Sequence, residues 1–430
     1  MSNPSNKLNA WNQFWFQPTN VGSLGLVRLF FGLTLFWKCT GSYALVRLGS
    51  QPIRWQFPRP DVFDVQSLGT AFWVPWPGMQ WLPALPQLWI SRLVLALTIL
   101  SVFVALGLFT RWVTLAAALI TTYLFLLSQC NYHHHMVLFI CVLWILALSP
   151  SGRRFSLDAL AQTDSPNDGR MWILPIRLIQ VLVCFIYLCS FISKLDVSWW
   201  NGSLLRLYHE LGALRGPFVD FGMGITGYPV AGILATCAEG FLAFGLLWPK
   251  TRRMALLVGI GLHVSIDASM EVSTYGYQML ALYLAFIVPA TGTTVVLYDG
   301  RCGMCRASRS WTKLLDWFGR ITWLDFRLSQ TREQVPYLQD EQLEKEMVAI
   351  TADGRVFSGF KAWREILARL PLTFVPSFLC YLPPISMIGG RVYQFIAARR
   401  KLSCEVSFPS QQMTPAEQSL ARAREKMAAR

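Results

Sequence analysis

Charged residues are scarce in this sequence. Only 14% of its 430 residues are Asp, Glu, Lys or Arg, whereas 53% are hydrophobic. Soluble domains contain roughly 25% charged residues, so the composition excludes an ordinary soluble enzyme. The shortage is not uniform, because 33 of the charged residues lie in residues 292–430 and only 29 lie in the 291 residues before them. The sequence therefore predicts a membrane domain over residues 1–291, followed by a soluble part.

Three other features are missing. The N-terminal segment lacks the basic-then-apolar layout of a cleavable signal peptide. The net charge is +14, but neither part contains a dense basic run or an RNA-binding motif, so we expect no nucleic-acid partner. Most of the ten cysteines are scattered through or beside apolar stretches, which excludes a secreted disulfide framework. Only Cys302 and Cys305 form a close pair.

Long hydrophobic runs dominate the first 291 residues. A transmembrane helix needs about 17 to 25 mostly apolar residues to cross the hydrocarbon core of a bilayer. Runs of about this length occur near residues 21–39, 90–109, 112–129, 135–150, 172–192, 229–248, 253–270 and 275–291. We therefore predict an α-helical polytopic membrane domain with about eight spans in the lipid bilayer.

The connections between these runs carry an asymmetric positive charge. If the spans alternate, one side of the membrane holds the N-terminus together with Arg111, Arg153, Arg154, Arg170, Lys250, Arg252 and Arg253. The short loops around 130–134 and 270–275 on the other side contain no Lys or Arg. Positively charged loops remain in the cytoplasm. The sequence thus predicts an integral protein of a bacterial inner membrane whose N- and C-termini are both cytoplasmic.

The sequence pattern changes after residue 292. VVLYDG is a β-branched strand ending in an Asp-Gly turn, and RCGMCRASRSWTKLLDWFG follows it at helical spacing. ITWLDF, a polar Glu-rich stretch, MVAIT, VFSGF and KAWREILARL extend the order to β-α-β-α-β-β-α. This order predicts a small α/β thioredoxin-like domain over residues 292–405. Residues 406–430 are expected to form a charged surface helix.

The motif Cys302-Gly-Met-Cys305 lies between the first strand and the first helix of this domain. A helix N-terminus stabilises a thiolate, and two thiols at this spacing can cycle between a dithiol and a redox-active disulfide. Cys302, which is nearer the helix N-terminus, is expected to have the lower thiol pKa and to be the more exposed sulfur of the pair. Half of a zinc site, or two inert cysteines, are the alternatives. The sequence YDGRCGMC resembles the DCC-type thiol-disulfide oxidoreductase-like family, whose signature maps to Asp299, Gly300, Cys302 and Cys305. The resemblance covers about residues 295–401.

Ionisable residues inside or beside the predicted spans are candidate site residues, because each is costly in hydrocarbon. They are Arg28, His133, His134, His135, Arg177, Lys194, Glu239, His263, Asp267 and Glu271. With alternating spans, His133, Lys194 and His263 all lie toward the extracytoplasmic side. The alternative for each histidine is a satisfied interfacial polar group. For Lys194 it is an interfacial lysine paired with Asp196.

Three strings of the membrane part resemble a known domain: SQCNYHHHMVLF, FISKLDVSWWNGSLL and AEGFLAFGLLWPKTRRMALLVGIGLHVSIDASMEVSTYGYQMLALY. They are similar to the horizontally transferred transmembrane (HTTM) domain, the membrane domain of vitamin K-dependent gamma-carboxylases. The resemblance runs from about residue 10 to 290. It implies that Lys194 is the catalytic base, that His133 and His263 are site residues, and that the cofactor is reduced vitamin K or another quinol. A lysine in an apolar cavity can be neutral and accept a proton.

Two functions of different classes fit these patterns. The first is a carboxylase-like membrane enzyme that uses Lys194 on a lipophilic quinone-like molecule, with the cysteine domain supplying electrons or regulating it. The second is a thiol-disulfide oxidoreductase that acts on a thiol redox partner protein and is anchored by a membrane domain that only binds lipid or a partner. A transporter or scaffold is disfavoured, because few acidic residues line the spans and no repeat symmetry is visible.

Overall fold

The computed structural model of the protein describes residues 11–41, 75–83, 85–127, 129, 132, 134–161, 170–270, 274–287 and 293–406. The chain divides into two compact units, Met1–Ala290 and Thr291–Arg430. The first unit is almost entirely helical, and the second is built around a four-stranded β-sheet.

The described part of the first unit, called the membrane unit, consists mainly of helices. In chain order they are α1 (Gly22–Gly41), α2 (Gln87–Leu106), α3 (Thr110–Leu127), α4 (His134–Ala147), α5 (Leu157–Ala161), α6 (Leu174–Ser193), α7 (Val197–Trp200), α8 (Ser203–Glu210), α9 (Pro217–Gly245), α10 (Arg252–Ser269) and α11 (Tyr275–Tyr283). Two short strands, β1 (Pro18–Asn20) and β2 (Arg170–Trp172), pair antiparallel.

Five helices within the described part of the chain are long and apolar enough to cross a membrane. They are Gly22–Thr40, Leu88–Leu106, Thr110–Leu127, Leu174–Ser193 and Gly227–Gly245. These helices confirm a polytopic helical domain and coincide with five of the predicted runs. The other three runs fall on shorter or more polar helices: α4 has 14 residues, α10 includes Arg252, Arg253 and Asp267, and α11 has nine. The count of eight spans therefore stays a prediction.

Arg28 is a structural residue of the membrane unit. Its side chain is completely buried, and its guanidinium donates to four main-chain carbonyls, including Ala105 O at 2.9 Å and Ser151 O at 3.2 Å. It thereby joins α1 to the ends of α2 and α4. Gly107, which follows α2 with φ +69°, leaves room for this guanidinium, because a Cβ there would overlap it. The four carbonyl partners of Arg28 stabilise its buried charge. Arg28, a candidate site residue in the sequence analysis, therefore has a structural role.

Helix α9 contains a kink. Gly227 has the non-helical φ/ψ of 71° and 160°, and Pro229 follows inside the helix. Proline lacks the N–H needed for the helical hydrogen bond and clashes with the preceding turn, so the helix changes direction here. The apolar segment beyond the kink, Gly227–Gly245, is the one long enough to span a membrane.

The second unit, called the redox unit, contains the predicted strands in the predicted order, with two short helices where one was predicted between the second and third strands and further helices at its end. Its strands are β3 (Thr294–Tyr298), β4 (Ile321–Asp325), β5 (Val348–Ile350) and β6 (Val356–Ser358), in the sheet order β4-β3-β5-β6. Strands β3 and β4 are parallel, whereas β5 is antiparallel to both β3 and β6. The helices are α12 (Gly303–Leu315), α13 (Ser329–Gln334), α14 (Asp340–Lys345), α15 (Phe360–Leu367), α16 (Pro371–Phe374) and α17 (Pro383–Val406).

The sheet of the redox unit has a core on each face. Side chains alternate along a strand, so Val296 and Tyr298 join one cluster while Leu297 joins the other. The first cluster also contains Cys302 and Cys305, which places the thiols against the packed face of the sheet. Helix α17 is an additional element that the predicted order omits. The helix predicted over 406–430 lies almost wholly outside the described residues.

Candidate functional site

Lys194 is held by polar partners at the end of a membrane helix. Its side chain is 14% exposed, and Nζ lies 2.8 and 3.0 Å from the two carboxylate oxygens of Glu239. Nζ also donates to Ser190 Oγ at 2.7 Å and lies 4.8 Å from the centre of the Trp199 ring. The residue caps the C-terminus of α6, where the helix dipole favours a cation.

Two sequence-based expectations for Lys194 are wrong, one about its ion-pair partner and one about the polarity of its surroundings. The partner of Lys194 is Glu239, 45 residues away, and not Asp196. Asp196 instead begins α7, where its carboxylate accepts from Ser198 N at 2.8 Å. The expectation of a purely apolar cavity fails as well, because a carboxylate, a hydroxyl and an indole ring surround the amine. Any base chemistry at Lys194 therefore involves Glu239.

His263 is the centre of a buried aromatic cluster. It is 1% exposed, and its Nε2 lies 2.6 Å from the Tyr187 hydroxyl, which is also hydrogen-bonded to the Tyr283 hydroxyl. The Tyr275 ring lies 5.6 Å from the imidazole. Gly259, one turn before His263, makes room for this cluster, because a Cβ there would overlap the Tyr283 hydroxyl.

One polar atom of this cluster is buried without a partner. Among the described residues, His263 Nδ1 has no hydrogen bond. Buried polar atoms are nearly always satisfied, and an exception calls for an explanation such as a bound molecule. The nitrogen is therefore a potential contact for a small polar group in the interior of the membrane unit.

Lys194 and His263 are linked through shared helices. Tyr187 and Lys194 both lie on α6, separated by about two helical turns. Glu239 lies on α9, His263 on α10, and Tyr275 and Tyr283 on α11. The pair Lys194–Glu239 and the cluster around His263 thus share α6, on which they are separated by about two turns. We call this arrangement the lysine–histidine site.

The other candidates separate into several groups. His133 and Glu271 lie outside the described residues, so their predicted roles remain untested. Arg177 is structural, since it donates to Phe14 O at 3.1 Å and to Gln180 Oε1 at 2.8 Å. Asp267 lies on α10 beside Gly276, where no Cβ could be accommodated.

His135 pairs with a residue that sequence reasoning missed. Its Nε2 lies 2.6 Å from Nζ of Lys38, and the Lys38 residue is 3% exposed. Lys38 stands at the end of the first apolar run, where a lysine is usually interfacial. The only signal in the sequence is a lysine immediately after the apolar string LFFGLTLFW, and it does not distinguish an interfacial lysine from a buried one.

An apolar groove of about 480 Å³ lies between α1 and the last helices of the membrane unit. Its lining residues are Phe30, Leu33, Thr34, Trp37, Tyr277, Leu280, Ala281 and Leu284. It contains neither Lys194 nor His263, so its walls offer apolar contact rather than acid–base chemistry. Such a groove suits a hydrocarbon chain.

The two cysteines stand at the start of α12. Cys302 is the N-cap of the helix, with its N–H donating to Asp299 O at 3.1 Å, and Cys305 lies in the first turn. Cys302 is 0% exposed and Cys305 is 3% exposed. The expectation that Cys302 is the more exposed sulfur is therefore wrong. The cysteines pack into the core cluster with Tyr298 and Trp323, so a partner thiol reaches them only when this loop opens.

The loop before the cysteines is fixed by carboxylates. The Asp299 carboxylate receives two hydrogen bonds of 2.8 Å from Arg327 and one of 2.9 Å from Arg301 N. The hydrogen bond to Asp299 raises the pKa of the Arg327 guanidinium. Gly300 N donates to Asp325 Oδ1 at 3.0 Å, and a Cβ at Gly300 would overlap that carboxylate. Close packing against the Asp325 carboxylate thus explains why a glycine follows Asp299 in the motif.

Comparison with known proteins assigns both units. Residues 16–290 match the HTTM domain, and residues 296–405 match the DCC1-like thiol-disulfide oxidoreductase. No curated protein and no solved structure matches the chain significantly. The HTTM match covers more than half of the chain, and the five long apolar helices lie within it. The chain is therefore an integral membrane protein of the HTTM family that carries a DCC1-like thiol-disulfide oxidoreductase domain after its membrane domain.

Proposed function

We propose that the membrane domain is an enzyme of carboxylase-like type that acts on a lipophilic quinol-like molecule. One observation supports this most strongly. Lys194, which is paired with Glu239, and Tyr187, which is hydrogen-bonded to His263, lie about two turns apart on one helix of a membrane domain. Ionisable groups in such a place are costly and mark functional sites. The HTTM family assignment points to the same chemistry.

The lysine–histidine site can move a proton between its own residues. Lys194 Nζ donates a hydrogen bond of 3.0 Å to Glu239 Oε1, and this distance is typical of an ion pair. In a water-poor site the proton can pass from the ammonium to the carboxylate, because burial penalises both charges. Lys194 is then an amine that can accept a proton. Glu239 is accordingly the residue that takes up the proton of Lys194 in this proposal.

The residues near His263 fit a quinol-like molecule. His263 Nδ1 is a buried nitrogen without a partner, and the tyrosines around it provide flat aromatic surfaces. When bound, such a molecule supplies an ionisable hydroxyl and reducing electrons. His263 would contact it through Nδ1, and Tyr187 fixes the imidazole through Nε2. Lys194 would serve as the proton acceptor. The cofactor would be reduced vitamin K or a related quinol.

We further infer that the redox unit is a thioredoxin-like domain that exchanges disulfides with a thiol partner protein. The sheet order β4-β3-β5-β6 with one antiparallel central strand, and a Cys-x-x-Cys at the N-terminus of the first helix, support this fold. In the exchange, the Cys302 thiolate attacks the partner disulfide, and Cys305 then releases the reduced partner. The products are the Cys302–Cys305 disulfide and a partner dithiol.

The second candidate function is a redox protein whose membrane domain only binds lipid. Two observations favour it. Lys194 and Glu239 satisfy one another, as a structural ion pair does. The apolar groove between α1 and α11 suits a lipid chain and contains no acid–base residue.

A screen with the full chain in nanodiscs separates these functions. Reduced quinones of different ring and tail structure would be supplied with oxygen and labelled carbon dioxide, and both quinol consumption and incorporation into glutamate peptides would be measured. The proposal predicts catalysed consumption of at least one quinol, with a similar rate for a Cys302→Ser variant. If no quinol is consumed above the rate of empty nanodiscs, the lipid-binding alternative stands.

A further inference from the structure

Helix α17 (Pro383–Val406) has one face packed on the redox unit and another left exposed. The packed face includes Gly389, which lies against the Phe360 ring, and Tyr393, whose hydroxyl accepts from Met347 N at 2.9 Å. This face is sufficient to hold the helix on the unit.

A second face of the same helix is apolar. Ile385, Ile388, Val392 and Ile396 recur at helical spacing and are 38%, 61%, 51% and 44% exposed. Residues three or four positions apart share one side of a helix. Leu379 and Leu382, just before the helix, are also exposed, at 42% and 38%. A contiguous apolar surface of this kind marks a contact with a membrane or another protein. We call it the α17 face.

The charges of α17 fit an anionic surface. Its sequence contains Arg391, Arg399, Arg400 and Lys401, and its one acidic residue is Glu405. Arg391 is exposed on the same helix as the apolar stripe. A helix with branched apolar residues on one side and an exposed basic residue such as Arg391 beside them is typical of a segment that lies in the headgroup region of a bilayer. Anionic lipids attract each nearby Lys or Arg.

The redox unit is tethered to the membrane unit by a short connection. Residues 287–293 separate Phe286 from strand β3, and seven residues span at most roughly 25 Å. A tether this short raises the effective concentration of the redox unit at the membrane surface. Modest apolar and electrostatic contacts are then sufficient for docking.

We propose that the α17 face docks the redox unit on a lipid surface that contains anionic headgroups. Ile388 and Val392 enter the interface between headgroups and acyl chains, and Arg391 contacts lipid phosphates. This contact positions the Cys302–Cys305 pair beside the membrane and does not depend on any quinol chemistry. Docking would favour partners that are themselves membrane proteins.

Site-specific photo-crosslinking in the full chain tests the docking. A photoreactive amino acid would replace Ile388 in one variant and Gln394, which is exposed on another side of α17, in the control. Both proteins would be placed in nanodiscs containing a phosphatidylglycerol–phosphatidylcholine mixture. The proposal predicts lipid adducts at 388 and few at 394. Arg391→Gln should lower the ratio of docked to undocked redox unit about fivefold, as expected for one interfacial charge.

Other outcomes contradict the docking. A cross-link from position 388 to residues of the same chain, or to a second copy, would show that protein covers this face. Equal lipid capture at 388 and 394, or none at 388, would show that α17 has no preferred membrane contact. The same yield of lipid adducts at position 388 in nanodiscs of pure phosphatidylcholine would show that docking does not require anionic headgroups.

Discussion

At the scale of single residues, the surroundings of Lys194 matter most. An interfacial lysine can be replaced at little cost, but a buried charge that loses its partner cannot. Lys194 and Glu239 have side-chain exposures of 14% and 9% and form an ion pair at 2.8 Å. Removing one member of a buried pair costs about 3–5 kcal/mol, whereas removing both is often neutral. A variant that lacks both charges can therefore be used to measure a loss of catalysis without a loss of stability.

The first prediction concerns the stability of this pair. Lys194→Ala should lower the unfolding temperature of the membrane domain, since the buried Glu239 side chain loses its ion-pair partner. Lys194→Met combined with Glu239→Gln should restore it, because no charge remains. Thermal unfolding of the nanodisc-embedded chain measures both. Asp196→Asn is the matched control, since Asp196 is exposed and caps only α7. Equal stability of Lys194→Ala and wild type would mean that the pair is solvated.

The second prediction concerns Gly259. A methyl group there would displace the Tyr283 hydroxyl, which is hydrogen-bonded to Tyr187. Gly259→Ala should destabilise the membrane domain by about 1–3 kcal/mol, the usual cost of overpacking, and should lower quinol turnover. Gly261→Ala is the control, because a Cβ at Gly261 meets no atom within 4 Å. If both variants behave alike, the cluster around His263 does not depend on close packing.

At the scale of elements, the start of α12 governs thiol chemistry. Both cysteines are buried, and the loop before them is held by the Asp299–Arg327 pair. Local opening must precede any attack by a partner thiol, and its free energy is set by such local contacts. The loop therefore controls access to the thiols at the helix N-terminus.

The third prediction follows from this loop. Asp299→Asn weakens the bonds to Arg327 and Arg301 N, so the loop should open more often, and alkylation of Cys302 should become about tenfold faster for each 1.4 kcal/mol lost. Mass spectrometry of alkylated peptides would measure the rate. Arg355→Gln, which breaks an exposed pair with Asp353, should leave the rate unchanged. An unchanged rate in Asp299→Asn would show that another element covers Cys302.

The sequence predicted helices and strands more accurately than contacts between residues that are far apart in the chain. The strands Thr294–Tyr298 and Ile321–Asp325 and the helix Gly303–Leu315 follow from periodicity and turn residues that are local in the chain. The pairing of Lys194 with Glu239 joins residues 45 positions apart, and that of Lys38 with His135 joins residues 97 apart. No local pattern encodes such pairs. The burial of Cys302 likewise depends on residues brought together by the sheet.

At the scale of the whole molecule, the number of spans determines where the redox unit works. The fourth prediction is that both termini are cytoplasmic, because the basic connections share one side. Reporter fusions at residues 132 and 430 should then report opposite sides of the membrane, with residue 430 cytoplasmic. Reporters on the same side would contradict eight alternating spans. That result would also contradict the placement of His133, Lys194 and His263 on one side of the membrane.

The most direct test of the lysine–histidine site is the rate of quinol consumption by the full chain in nanodiscs. Wild type would be compared with the variant that combines Lys194→Met and Glu239→Gln, after equal folding of the two is confirmed. An essential base contributes about 10²- to 10⁴-fold in rate, so we predict a loss of this size with unchanged disulfide exchange by Cys302 and Cys305. Consumption within about twofold of wild type would contradict the account, since no proton acceptor remains at either position.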